Sequence, residues 1–115
     1  MNGDDAARAR TVVACLITFP DEDTGARVAR ALVEEGLCAC VNLVPRVRSI
    51  YRWQGAVSDD HEVLGIAKTT SARFEALRAR VVALHPYDVP EVIALPVVAG
   101  SEPYLDWVRE AVAGE

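Results

Sequence analysis

The run from Cys38 to Gln54 is the first thing any folded form of this chain must accommodate. It reads as extended chain through seventeen residues, interrupted only at Pro45. At strand geometry it would reach about 56 Å, whereas a compact domain of this length is about 35 Å across. The strand must therefore bend or project from the body. Pro45 has no amide proton to give a ladder, which marks an edge strand or a bulge. Beyond it Val47, Ser49, Tyr51 and Trp53 alternate with Arg46, Arg48, Ile50, Arg52 and Gln54, so two distinct faces are presented. Gln54-Gly55 supplies the turn into a partner strand. A projecting hairpin with Ile50, Tyr51 and Trp53 near its tip leaves apolar area and backbone edge in water, and pairing with another copy of the chain is the expected remedy.

The remaining segments fall into place around that hairpin. Val12 to Ile17 is continuously apolar and largely β-branched, as suits a strand inside its sheet. Asp21 is placed to cap a helix that Gly36 closes, with Gly25, Val28, Ala29 and Leu32 at helical spacing. Strand three runs from Val57 to Lys68. Thr69-Thr70-Ser71 then starts a helix whose apolar stripe is Phe74, Leu77, Val81 and Leu84, and Pro86 stops it. Val92 to Leu95 makes a fourth strand, with Pro96 pointing to an edge position. Ser101 is placed to cap a last helix with Leu105, Val108 and Val112 on one face. The first ten residues show no period and read as a flexible tail, leaving residues 11–113 as one domain. Strand, helix, strand, strand, helix, strand is the order of an α+β, ferredoxin-like βαββαβ sandwich, with helices on one sheet face, a long hairpin and an extra C-terminal helix.

Between the second stripe and the fourth strand lies Leu84-His85-Pro86-Tyr87-Asp88-Val89-Pro90-Glu91. Its two prolines fix two φ angles, remove two donors and hold His85 and Val89 extended, so the segment is a stiff turn. An imidazole, a phenol and two kinds of carboxylate are thereby held in one place. The simpler reading is a helix stop whose polar groups satisfy nearby backbone.

Charge and cysteine usage narrow the function classes. A net charge of -5 and a pI near 5.0 disfavour non-specific binding to nucleic acid or to anionic membrane. No apolar run approaches the length that spans a bilayer, and the opening residues lack the order of a signal peptide, so a cytoplasmic setting is the expectation. Three cysteines without close metal-ligand spacing fit reduced thiols. Cys38 and Cys40 would face the same way along a regular strand and serve most simply as packing atoms.

Several separated motifs, in order, resemble the CutA divalent-cation tolerance proteins: Ala39-Cys40-Val41-Asn42-Leu43-Val44-Pro45, Ser49-Ile50-Tyr51-Arg52-Trp53-Gln54-Gly55, Lys68-Thr69-Thr70, His85 to Glu91, and Tyr104-Leu105-Asp106-Trp107. The resemblance extends from about Val12 to Val112. It implies a homotrimer similar in architecture to the PII signalling proteins, with hairpins joining subunits and clefts between them. It also implies a link to tolerance of copper or another divalent cation, and no firmly attached enzymatic activity. Copper-binding bacterial relatives carry a Cys directly before the Thr of the segment matched by Thr18-Phe19-Pro20-Asp21, and a His-His pair before Pro-Tyr. Here Ile17 and Leu84 stand at the departing positions, which leaves His85 and Cys40 as metal candidates and implies weak binding. Tyr51, Trp53, Glu62, Lys68 and Glu91 are the candidate lining groups for a cation or a small anionic ligand. Each has a structural alternative as interface packing, strand partner or cap. The rival readings are a trimeric scaffold or anchor without a metal role, and a thiol-dependent enzyme using His85, for which no local signature exists.

Overall fold

A computed structural model describes residues 3–113. Strands β1 (Val12–Phe19), β2 (Cys40–Trp53), β3 (Ala56–Thr70) and β4 (Val92–Pro96) form one antiparallel sheet in the order β2-β3-β1-β4. Helices α1 (Gly3–Ala9), α2 (Glu22–Glu34), α3 (Ser71–Leu84) and α4 (Glu102–Ala111) complete the chain. This is the expected ferredoxin-like order, and both proline-bearing strands are edges, because a residue without an N–H disturbs no ladder there.

The core lies between the sheet and helices α2 and α3. Val13, Cys15, Ile17 and Phe19 alternate along β1 and meet Val28 and Leu32 of α2 and Leu77 and Val81 of α3. Asp21 caps α2 as expected, its carboxylate accepting from Thr24 N–H at 2.7 Å. That bond holds the Asp21 carboxyl below the usual range. Gly36 follows α2 at φ 71°, a left-handed value that suits glycine after a helix end.

The hairpin projects, as its length requires. The molecule measures 46 × 26 × 26 Å. Register shifts between Val44 and Val47, so a bulge sits at Pro45 and the strand bends without breaking. Gln54 and Gly55 both take positive φ, 50° and 81°, closing β2 onto β3 through a two-residue turn. Arg48 reaches Asp59 with two hydrogen bonds of 2.8 and 2.7 Å, while Arg46 and Arg52 have no ion-pair partner among the described residues.

Three expectations need correction. Gly3–Ala9 is helical rather than irregular: Asp4 and Asp5 occupy its first turn, Arg8 its last, and Arg8 pairs with Asp5 at 2.6 Å, although none of its residues is buried. Residues 1 and 2 of the expected ten-residue tail lie outside the described residues. The second strand begins at Cys40, since Leu37 to Ala39 is occupied in leaving α2, with Cys38 in the core. Ser101 precedes α4 without a side-chain cap bond. The two helices of the βαββαβ unit, α2 and α3, share one face as expected, while Leu105 and Val108 of the extra helix α4 pack on Val12 and Ala39, on the other side of the sheet. The rest of that second face is left with Ile93 48%, Leu95 50% and Val44 38% exposed.

Candidate ligand cleft

Residues of β2, β3 and the proline-bracketed turn enclose a cleft of roughly 640 Å³, in the range of small-molecule sites. Ser49, Tyr51 and Trp53 approach it from β2 and Glu62 from β3. After the bulge, Val47 stands opposite Glu62, and from there Ser49, Tyr51 and Trp53 share its face by strand alternation. The opposite wall is Pro86, Tyr87, Asp88, Val89 and Glu91.

What holds that wall in place is a stack running out of the core. Phe19 is fully buried, and its ring lies nearly parallel to that of His85, centroids 5.3 Å apart at 16°. His85 in turn meets Tyr87 at 4.6 Å and 54°. His85 takes extended backbone geometry at the end of α3, as a residue before proline must, and its N–H donates to the Val81 carbonyl at 2.8 Å. Tyr87 N–H donates to His85 Nδ1 at 3.1 Å, which requires Nδ1 to be the accepting nitrogen. The proton then sits on Nε2, which donates to the Thr18 carbonyl at 2.7 Å. Tyr87 finally donates its hydroxyl to Glu62 Oε2 at 2.7 Å. Burial and the Glu62 bond together push the Tyr87 hydroxyl above the ordinary phenol range. Tyr51 likewise donates to Asp60 at 2.7 Å and is held above its ordinary value, chiefly by that bond.

Of the sequence candidates, Tyr51, Trp53, Glu62 and Glu91 converge on this cleft. Lys68 does not. It lies along β3 opposite Cys40 and donates to the Asn42 side chain and to the Ile66 carbonyl at 3.3 Å. The cleft lining therefore holds three carboxylates, Glu62, Asp88 and Glu91, and no basic side chain, which suits a cation and not an anion.

The metal candidates are not brought together. His85 spends both ring nitrogens on backbone groups, so no lone pair remains for a metal. Cys40 pairs across β3 with the row of Ala14, while His85 contacts Thr18, four residues and about 13 Å along β1. Cys40 Sγ instead meets the Tyr104 hydroxyl at 3.4 Å, a contact that helps push that hydroxyl up to about 12. Cys38 is in the core and Cys40 is not, so the two thiols do not share a face. Among the described residues no three His, Cys, Asp or Glu side chains are grouped to hold a metal. The residues present therefore do not fit a copper site within one protomer.

Tyr87 and Asp88 were not singled out as lining residues. The proline bracket announced a rigid turn, but the partner of Tyr87 is 25 residues away in sequence, and nothing local specifies that pairing.

Burial pushes the Cys15 thiol up to about 11 and Cys38 up to about 12. In the unfolded chain these groups lose their protons nearer 9.0, so the stabilisation they supply is complete below that pH. It declines as pH rises towards the folded values, where the unfolded state binds fewer protons than the folded one. Thermal melts between pH 8 and 11 under reducing conditions should show a falling midpoint. The fall should be shallower in the Cys15→Ala, Cys38→Ala variant, and parallel slopes would refute this account.

Residues 13–111 match the CutA1 divalent ion tolerance protein family. The chain is 57% identical over 95 residues to the divalent-cation tolerance protein CutA of Thermus thermophilus, covering 83% of this chain and 92% of that one. It is 50% identical over 100 residues to human protein CutA, covering 87% of this chain and 56% of the human protein, so it spans about half of that relative. Solved structures agree. The Thermus thermophilus Cut A1 structure superimposes with a TM-score of 0.85 at 54% identity, covering 87% and 97% of the two chains. CutA of Xylella fastidiosa gives 0.86 at 37%, covering 89% and 98%. A family match over residues 13–111, nearly the whole folded region, together with 57% identity to a CutA relative, makes this chain a member of the CutA1 divalent ion tolerance family.

Proposed function

We propose that the protein is a noncatalytic homotrimeric binding module of divalent-cation tolerance, with a cation taken up in the acidic cleft where protomers meet. The observation that carries this reading is the adjacency of two incomplete surfaces. An apolar sheet face with Ile93 and Leu95 half exposed continues into a cleft bearing Glu62, Asp88 and Glu91. Apolar sheet surface of this kind is the usual signature of an interface, and a neighbour seated on it would close the cleft. Copper or another divalent cation would bind weakly, through carboxylate oxygens and groups from more than one subunit, because the described residues of one protomer include no three-ligand set. A catalytic role is disfavoured by the burial of Cys15 and Cys38 and by an imidazole whose two nitrogens are committed to backbone. A cytoplasmic setting is part of the reading, supported by three free thiols.

The scaffold alternative is favoured by the same missing ligand set, and one experiment separates the two. Sedimentation should give a trimer mass, and millimolar divalent copper, zinc or magnesium should raise its melting temperature modestly. The shift should disappear in Glu62→Gln, Glu91→Gln. A trimer whose melting temperature ignores every cation would be a scaffold, and a monodisperse monomer would defeat both readings.

A further inference from the structure

Glu62 is the group in this molecule whose charge the fold leaves least answered. Its residue is only 7% exposed, yet no Lys, Arg or His pairs with it among the described residues. One carboxylate oxygen receives the Tyr87 hydroxyl at 2.7 Å. No buried side-chain oxygen or nitrogen among the described residues lacks a partner, so the other oxygen is not sealed away, and the residue lines the cleft. A carboxylate with one oxygen open to the cleft and no counter-charge beside it would be stabilised by a cation arriving there.

The surroundings of Glu62 say which cation. A bare metal ion needs several oxygen, nitrogen or sulfur donors converging within coordination distance, and no group of three His, Cys, Asp or Glu is so placed among the described residues. The cleft is also far larger than one ion. Its surfaces are aromatic and aliphatic between the acids: Trp53 and Tyr51 on the hairpin side, Tyr87 and Val89 on the turn side. Aromatic faces beside carboxylates attract ammonium groups through the ring quadrupole while tolerating the methylenes that carry them. Both phenols already donate to acids, Tyr51 to Asp60 and Tyr87 to Glu62, so they offer a charged ligand mainly their rings.

We propose that the cleft binds an aliphatic diamine or polyamine, one ammonium group against Glu62 and the methylene chain along the turn-side wall of Tyr87 and Val89. A diamine is a divalent cation whose two charges are spread along an apolar body, which matches separated carboxylates better than a point charge does. This deepens the reading of the cleft as a cation site and rests on it.

The test is calorimetric titration of the intact protein with putrescine and spermidine, beside 1,4-butanediol as an uncharged analogue and magnesium, zinc and copper chlorides as point cations. Tryptophan emission of Trp107→Phe, which leaves Trp53 as the reporter, is followed in parallel. The expected result is saturable amine binding that perturbs Trp53 emission, no binding of the diol, and affinity about tenfold or more weaker in Glu62→Gln. If Glu62→Gln does not assemble, Glu91→Gln, which is exposed, should weaken putrescine a few-fold. Metal binding that depends on Glu62, with no amine binding, would overturn this inference and leave the cation site standing. Absence of both would overturn the cation site itself. Amine binding unchanged by Glu62→Gln and Glu91→Gln would be adventitious charge attraction and would equally overturn the proposal.

Discussion

Phe19→Ala is expected to lower the free energy of unfolding by about 3–5 kcal/mol, the range seen when a large buried aromatic is truncated without collapse of its site. Collapse is hindered here because the ring is gripped on several sides. A Cβ placed on Gly65 would stand 2.9 Å from Phe19 Cε2, and one on Gly25 would stand 3.2 Å from Cδ2, so both backbones already approach as closely as glycine permits. The third neighbour is the His85 ring, stacked at 5.3 Å. Removing Phe19 thus opens a cavity and loosens the ring on which Tyr87 and, through it, Glu62 depend. Urea unfolding should show a lower midpoint with unchanged slope, and Phe19→Leu should recover part of the loss. A midpoint within experimental error of the parent would mean that the stack is not a structural anchor. Loss of stability without any weakening of ligand binding in the folded fraction would mean that it does not position the turn.

The second large effect concerns assembly. Changing Tyr51 and Trp53 together to Ala is expected to weaken subunit association by several kcal/mol, because truncated aromatic anchors at a desolvated interface commonly cost about 2 kcal/mol or more each. Both side chains sit on the hairpin wall of the cleft, with Tyr51 42% and Trp53 45% exposed in the protomer, and Ile50 beside them is 66% exposed. Three large apolar groups on one hairpin tip are costly to leave in water. Sedimentation across a dilution series should show the double variant dissociating at concentrations where the parent stays associated. Equal association constants would place the tip outside the interface. Assembly would then rest on the sheet face of Val44, Ile93 and Leu95, and Ile93→Lys would become the discriminating change.

Much of this architecture is written in local chemistry. Apolar alternation in β1, the Asp21 cap, the positive-φ turn at Gln54-Gly55 and the edge positions of Pro45 and Pro96 each follow from properties of single residues or short runs. The length of the Cys38 to Gln54 run already required a hairpin that leaves the body, and the 46 Å axis is its physical outcome. Short segments without an apolar period were harder to read. Helix α1 buries nothing, so its charges and alanines left no stripe to find. The side of the sheet that α4 would choose depends on Val12 and Ala39, which lie far from it in sequence.

The cleft divides along the same line. The resemblance to the CutA proteins points to Tyr51, Trp53, Glu62 and Glu91 as a candidate site, and the prolines flanking Tyr87 make its turn rigid, a consequence of fixed φ angles. Which groups meet is decided by packing across the fold. His85 looks like a metal ligand until Thr18 and Tyr87 are seen to occupy its two nitrogens. Lys68 looks like an anion partner until it is found bound to Asn42, leaving the cleft with acids and no base. A side chain's identity specifies what it can bond, whereas only the closed tertiary structure decides which of its bonds are already made.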